Sequence, residues 1–232
     1  MPTANHSLPS KLRWRESMLF PIETPEARRD IVLGGLAVVF LLVFGWILNL
    51  GARLDVVQRL YRGERPYFRG MKPLRHTFRR GCISATTIFA YLAPANVCFA
   101  AGYWAAMGGE WRLASAWSDL QAAPLAITLS IAGLLFFILG VFTLPGCMTV
   151  YACEEDPSVL RDPVRAFRRA WAQRRMYGKA WAIALSAVSL SFLGIFAFVI
   201  GFFIASVWAW EVVGYAFTVA MYSELEAGSH EA

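Results

Sequence analysis

Long runs without a charged side chain, separated by short arginine-rich stretches, constrain this chain more than any other feature. Residues 31–52 carry no charge, and from Ala180 to Tyr222 the only charge is Glu211. Between such runs the charges crowd together. The stretch from Arg53 to Arg80 holds Arg53, Arg59, Arg62, Arg65, Arg69, Lys72, Arg75, Arg79 and Arg80 against Asp55 and Glu64. A soluble domain carries about 25% charged residues, whereas this chain has 16% charged and 57% hydrophobic residues. A hydrocarbon layer about 30 Å thick needs about 20 apolar helical residues per crossing, which is the length scale of these runs. The fold expected is therefore all-α, a polytopic transmembrane helix bundle of about five spans.

The pattern divides the chain into a polar basic segment over 1–30, a transmembrane helical domain over 31–222 and a short acidic disordered tail over 223–232. The polar stretch ahead of the first apolar run is too long for a cleavable signal peptide, so a retained first span is expected. Thr24 reads as an N-cap, with Pro25 at the first helical position and Glu26 at the positive helix start. The expected spans cover about 31–50, 82–107, 124–151, 180–200 and 202–222, with a tight turn near Gly201. Gly34 and Gly35 permit close helix contact, Pro94 should kink the second span, and Asn49 and Asn96 should bridge helices. Trp104, Trp111 and Trp117 mark an interface.

Two basic amphipathic stretches precede spans and read as interfacial helices. In the first, Met71, Leu74 and Phe78 share a face while Arg75, His76, Arg79 and Arg80 take the other. In the second, Asp162 is an N-cap before Pro163. There Val164, Phe167 and Trp171 face one way, and Arg165, Arg168, Arg169, Arg174 and Arg175 cover the rest. The two stretches echo each other as the surface helices of a weak internal repeat.

Basic loops stay in the cytoplasm, which places the loops after the first and third spans there. Five crossings then put the N-terminus outside, although it carries Lys11, Arg13, Arg15, Arg28 and Arg29. Either the larger charge of the first loop prevails, or the first apolar segment is re-entrant.

Few residues suggest chemistry. His6 and His230 lie in the tails and His76 on a basic stretch, and no HExxH, GxSxG or phosphate-loop pattern appears. The run Glu154-Glu155-Asp156 with Asp162 is the best candidate for a metal or acid/base site, against the plainer role of helix stop and cap. Glu211 is the candidate intramembrane polar site, because a carboxylate within a span marks an ion path, a proton relay or a partner residue. Cys82, Cys98, Cys147 and Cys153 form no CxxC pair and read as small packing residues.

Three stretches resemble a family of prokaryotic multi-pass membrane proteins catalogued as domain of unknown function 4013. They are Phe20-Pro21-Ile22-Glu23-Thr24-Pro25 with Ile31-Val32-Leu33-Gly34-Gly35, then Gly51 to Gly63 leading to Gly81, and Ala166-Phe167 with Gly214 and Tyr215. The chain departs from that pattern at Arg65-Pro66-Tyr67-Phe68. The resemblance implies a helical membrane fold with no assigned activity.

Together these features point to a non-enzymatic, multi-pass protein of a prokaryotic inner membrane, with no cofactor and no metal. It would act as a scaffold or accessory subunit. Arg75, Arg79, Arg80, Arg165, Arg168, Arg169, Arg174 and Arg175 would meet anionic lipid headgroups or a membrane partner, a second copy of the chain included. Nucleic acid is not expected, because the arginines flank spans and alternate with Phe, Trp and Leu. The alternative is a small transporter or channel component using Glu211.

Overall fold

The computed structural model describes residues 9, 11–64, 74–106 and 117–229. The described residues form α-helices and short 3-10 turns, with no strand. In chain order the helices are α1 (Trp14–Leu19), α2 (Pro25–Leu41), α3 (Val43–Arg62), α4 (Leu74–Ala106), α5 (Trp117–Glu154), α6 (Pro163–Ala172), α7 (Arg174–Ser191) and α8 (Phe198–Ser229). The all-α helical bundle is the architecture expected. Among the described residues three stretches are long and apolar enough to cross a membrane: Leu74–Ala106, Pro124–Glu154 and Arg174–Tyr222, as in an integral membrane protein.

The helix starts follow local chemistry. The Thr24 hydroxyl accepts from the Ala27 amide and caps α2, with Pro25 in the first turn. Asp162 caps α6 by accepting from the Arg165 amide at 2.9 Å. Each supplies an acceptor for one of the amides that a helix start leaves unpaired.

The expected continuous span over 31–50 is broken. The backbone reverses at Leu42, which adopts φ 41°, and α3 runs back along α2. Asn49 Nδ2 donates to the Gly34 carbonyl at 2.9 Å, the helix bridge expected of Asn49. The stretch 180–222 also folds back. A 3-10 segment, Phe192–Ala197, leads to Phe198 at φ 63°, and α8 returns along α7. This turn lies earlier than the one expected near Gly201.

Both reversals are built alike. The apex residue, Leu42 or Phe198, is bulky and apolar with positive φ, and a glycine follows three residues later. A Cβ on Gly45 would stand 2.1 Å from the Ala37 carbonyl oxygen, and one on Gly201 would stand 2.5 Å from that of Gly194. Glycine thus lets the two arms touch just below the apex, and the bulky residue bears the backbone strain. At the first apex Leu42 N donates to Val38 O at 2.8 Å and Leu42 O accepts from Trp46 N at 2.9 Å.

The chain forms two compact units, residues 1–85 with 145–232 and residues 86–144. In the larger unit the two hairpins pack together. A Cβ on Gly35 would meet Ile204 Cγ1 at 2.6 Å, so α2 and α8 lie almost in backbone contact, as the pair Gly34 and Gly35 suggested. α3 and α8 run parallel, which brings Tyr61 against Tyr222 at 4.6 Å between ring centroids. Every residue of α8 from Glu211 to Tyr222 is buried, so this stretch is apolar on nearly all faces because protein surrounds it. Tyr177 and Trp181 of α7 meet Phe217 edge-on at 4.9 and 5.6 Å.

In the smaller unit α4 and α5 pack through glycines. A Cβ on Gly140 would stand 2.9 Å from the Tyr91 carbonyl, and one on Gly133 the same distance from Phe99. Large apolar side chains such as Phe89, Val97, Ile131 and Leu135 point outward. Pro94 lies inside α4 without ending it, and Asn96 is exposed on that helix.

Candidate functional site

The polar end of the larger unit gathers side chains that the sequence leaves scattered. Arg80, on the second turn of α4, is buried. It donates to Asp55 Oδ1 at 2.6 Å, to Gln58 Oε1 at 2.7 Å and to the Ala152 carbonyl at 3.2 Å. Thr77 donates to the other Asp55 oxygen at 2.9 Å. Gln58 donates in turn to Glu155, and Arg62 lies 3.5 Å from the same carboxylate. α3, the start of α4 and the end of α5 are thereby clasped by one network. The hydrogen bond from Gln58, with Arg62 nearby, holds the Glu155 carboxyl below its ordinary value.

The acidic run serves this end as a set of separate ties. Glu154 takes Arg169 at 2.8 Å and the Tyr222 hydroxyl at 3.2 Å. Asp156 accepts from the Ser158 hydroxyl and amide, which lowers its pKa, and Asp162 caps α6. Each carboxylate has its own partner. Among the described residues no group of three or more His, Cys, Asp or Glu could hold a metal ion. The run therefore fits its plainer role as helix stop, cap and counter-charge.

The arginines expected to form one surface divide. Arg75, Arg79, Arg165, Arg168, Arg174 and Arg175 are exposed. Arg80 is not available to headgroups, because burial and Asp55 fix it inside. Arg169 is half-buried on Glu154, with its guanidinium 6.0 Å from the Tyr222 ring centroid. The first basic stretch differs from the expected separate surface helix: from Leu74 onward it forms the opening turns of α4. Met71 and Lys72 lie outside the described residues. α6 is a separate short helix, ended at Gln173 before α7 begins at Arg174. The two halves of the expected sequence repeat thus fold differently.

Glu211 is 6% exposed and Arg53, one helix away, is 4% exposed. Together with Trp46, Asn49, Leu50, Val207 and Trp210 they line a small cavity with room for about one or two water molecules. Among the described residues the two charges form no ion pair. There Arg53 Nε and Glu211 Oε2 have no hydrogen-bond partner, and the Arg53 guanidinium lies 5.2 Å from the Trp210 ring centroid. Asp30 of α2 also acts on Glu211 electrostatically.

Arg53 was not among the expected site residues, because it reads as the point where the chain leaves the membrane. A signal existed in its spacing: Arg53 is the first charge beyond one apex and Glu211 the first beyond the other. No family model, curated protein or solved structure matches this chain.

Proposed function

We propose that the chain is a non-enzymatic scaffold or accessory subunit of a prokaryotic inner membrane, whose polar end grips anionic lipid headgroups or a membrane partner. The resemblance to domain of unknown function 4013 belongs to this proposal and adds no activity. One observation carries it. α6 holds exposed Arg165 and Arg168 beside exposed Val164 and Trp171, and exposed Arg174 and Arg175 follow at the start of α7. Trp171 stacks on Phe167 at 5.7 Å between centroids. Cations interleaved with an aromatic face suit the headgroup layer, where each basic side chain contributes about 1 kcal/mol toward anionic lipid.

The test replaces Arg165, Arg168, Arg174 and Arg175 with Gln in the full chain. Arg169 stays, because Glu154 needs it. The chain is exchanged between nanodiscs of phosphatidylglycerol and of phosphatidylcholine, and retained lipid is weighed by native mass spectrometry. The wild type should keep phosphatidylglycerol and the variant should lose that preference, most clearly at low salt. Equal lipid retention by both would rule the lipid arm out. A stoichiometric protein that copurifies with the wild type and not the variant would identify the partner arm instead.

The unbridged Arg53 and Glu211 favour a second reading, a transporter or channel component. Buried ionisable groups inside a membrane protein usually belong to a substrate or ion path. In reconstituted vesicles Glu211→Gln should then abolish a flux that the wild type supports.

A further inference from the structure

We infer that the hairpin of α2 and α3 is re-entrant: its apex ends among the acyl chains of the cytoplasmic leaflet, and neither arm crosses the bilayer. Lengths argue for this first. The charge-free arms of this hairpin are residues 31–41 of α2 and 43–52 of α3. At 1.5 Å per residue they reach about 16 and 15 Å. Half of a hydrocarbon core about 30 Å thick is about 15 Å. Each arm therefore ends near the midplane and falls well short of the far headgroups. The charge-free part of α4, residues 81–106, reaches about 39 Å and crosses with length to spare.

The apex argues second. Phe40 is 76% exposed and Val43 69%. No residue from 37 to 46 is polar. A turn that emerged into water on the far side would present polar turn formers there. A turn that stays in hydrocarbon presents phenylalanine, leucine and valine and keeps its backbone hydrogen-bonded, as Leu42 does. Because α3 and α8 are parallel and α2 lies against α8, the two apices share one end of the larger unit. The charges of α3, from Arg53 to Arg62, lie toward the other end.

Charge argues third. A hairpin returns the chain to the side it left, whatever its depth. The N-terminal basic segment, the basic stretch after α3, the α5–α6 connection and the C-terminus then lie on one face. Lys11, Arg13, Arg15, Arg28 and Arg29 join the other arginines in the cytoplasm, and the conflict posed by five crossings disappears.

The experiment uses the full chain in right-side-out and inverted vesicles. Epitope tags are placed at the N- and C-termini of the otherwise unaltered protein, and Glu64→Cys and Ser158→Cys report the intervening basic stretches. Both tags and both cysteines should react with impermeant reagents in inverted vesicles alone. An N-terminal tag that reacts on the opposite face from Glu64→Cys would overturn the first hairpin. For depth, a spin label is placed at Phe40→Cys, an exposed site where the label displaces no packing. It should collide with dissolved oxygen and not with a water-soluble nickel chelate. Collision of the label with the chelate from the outer face would overturn the re-entrant hairpin. The outcome is independent of what the arginines bind.

Discussion

Arg53 and Glu211 face one small cavity from parallel helices, each buried, and neither bonds to the other. Removing one of two opposed buried charges leaves the other uncompensated, which costs about 3–5 kcal/mol, whereas replacing both by apolar residues of similar volume is often near neutral. Glu211→Leu alone should therefore lower the unfolding temperature in detergent more than Arg53→Met and Glu211→Leu together. If the double variant is instead the sum of the two singles, the residues are not coupled.

Arg80 and Arg168 look alike in sequence and should behave oppositely. Arg80→Ala strips Asp55 and Gln58 of a shared donor and should destabilise by about 3 kcal/mol or more. Arg168→Ala removes an exposed cation and should change stability by no more than about 0.5 kcal/mol. Thermal unfolding of the two variants in the same detergent gives the comparison.

Gly51 and Gly81 let α3 and α4 cross in backbone contact. A Cβ on Gly51 would stand 1.9 Å from the Thr77 carbonyl oxygen, and one on Gly81 would stand 2.0 Å from that of Ile47. Backbone cannot yield as a flexible side chain does, so Gly51→Ala should destabilise by about 2 kcal/mol or more. Gly178→Ala is the control, since a Cβ there meets nothing within 4 Å.

Glu155 should make stability depend on acid. Its folded pKa lies below the ordinary 4.5, first through the Gln58 hydrogen bond and then through Arg62. A depressed carboxyl pKa contributes stability that is present above the unfolded value and lost as pH falls through the folded one. The unfolding temperature of wild type should therefore exceed that of Glu155→Gln at neutral pH. The gap should close below about pH 4.5.

How much of this was legible beforehand depends on the range of the interaction. The caps at Thr24 and Asp162 were, because a cap involves residues two or three positions apart. The close approach of Gly34 and Gly35 was legible as a capacity, though not its partner Ile204. The fold-back of 180–222 was legible from its length, though its turn lies at Phe198 rather than near Gly201. The reversal at Leu42 was not, since leucine is no turn former and a charge-free run of span length reads as one crossing.

By itself the sequence determined the helical class and the division into apolar and basic segments. Those follow from hydrogen-bonding needs and charge in a low-dielectric layer, which act locally along the chain. Only the tertiary structure decided which arginines are free. Arg80 is held inside because Asp55, Gln58 and the Ala152 carbonyl meet it from two other helices. It also decided that Arg53 and Glu211 share a cavity, and that the run over 31–52 turns back on itself. A charge-free run has the same composition whether it continues or reverses, and glycine contacts between distant helices, made at van der Waals range, select the reversal.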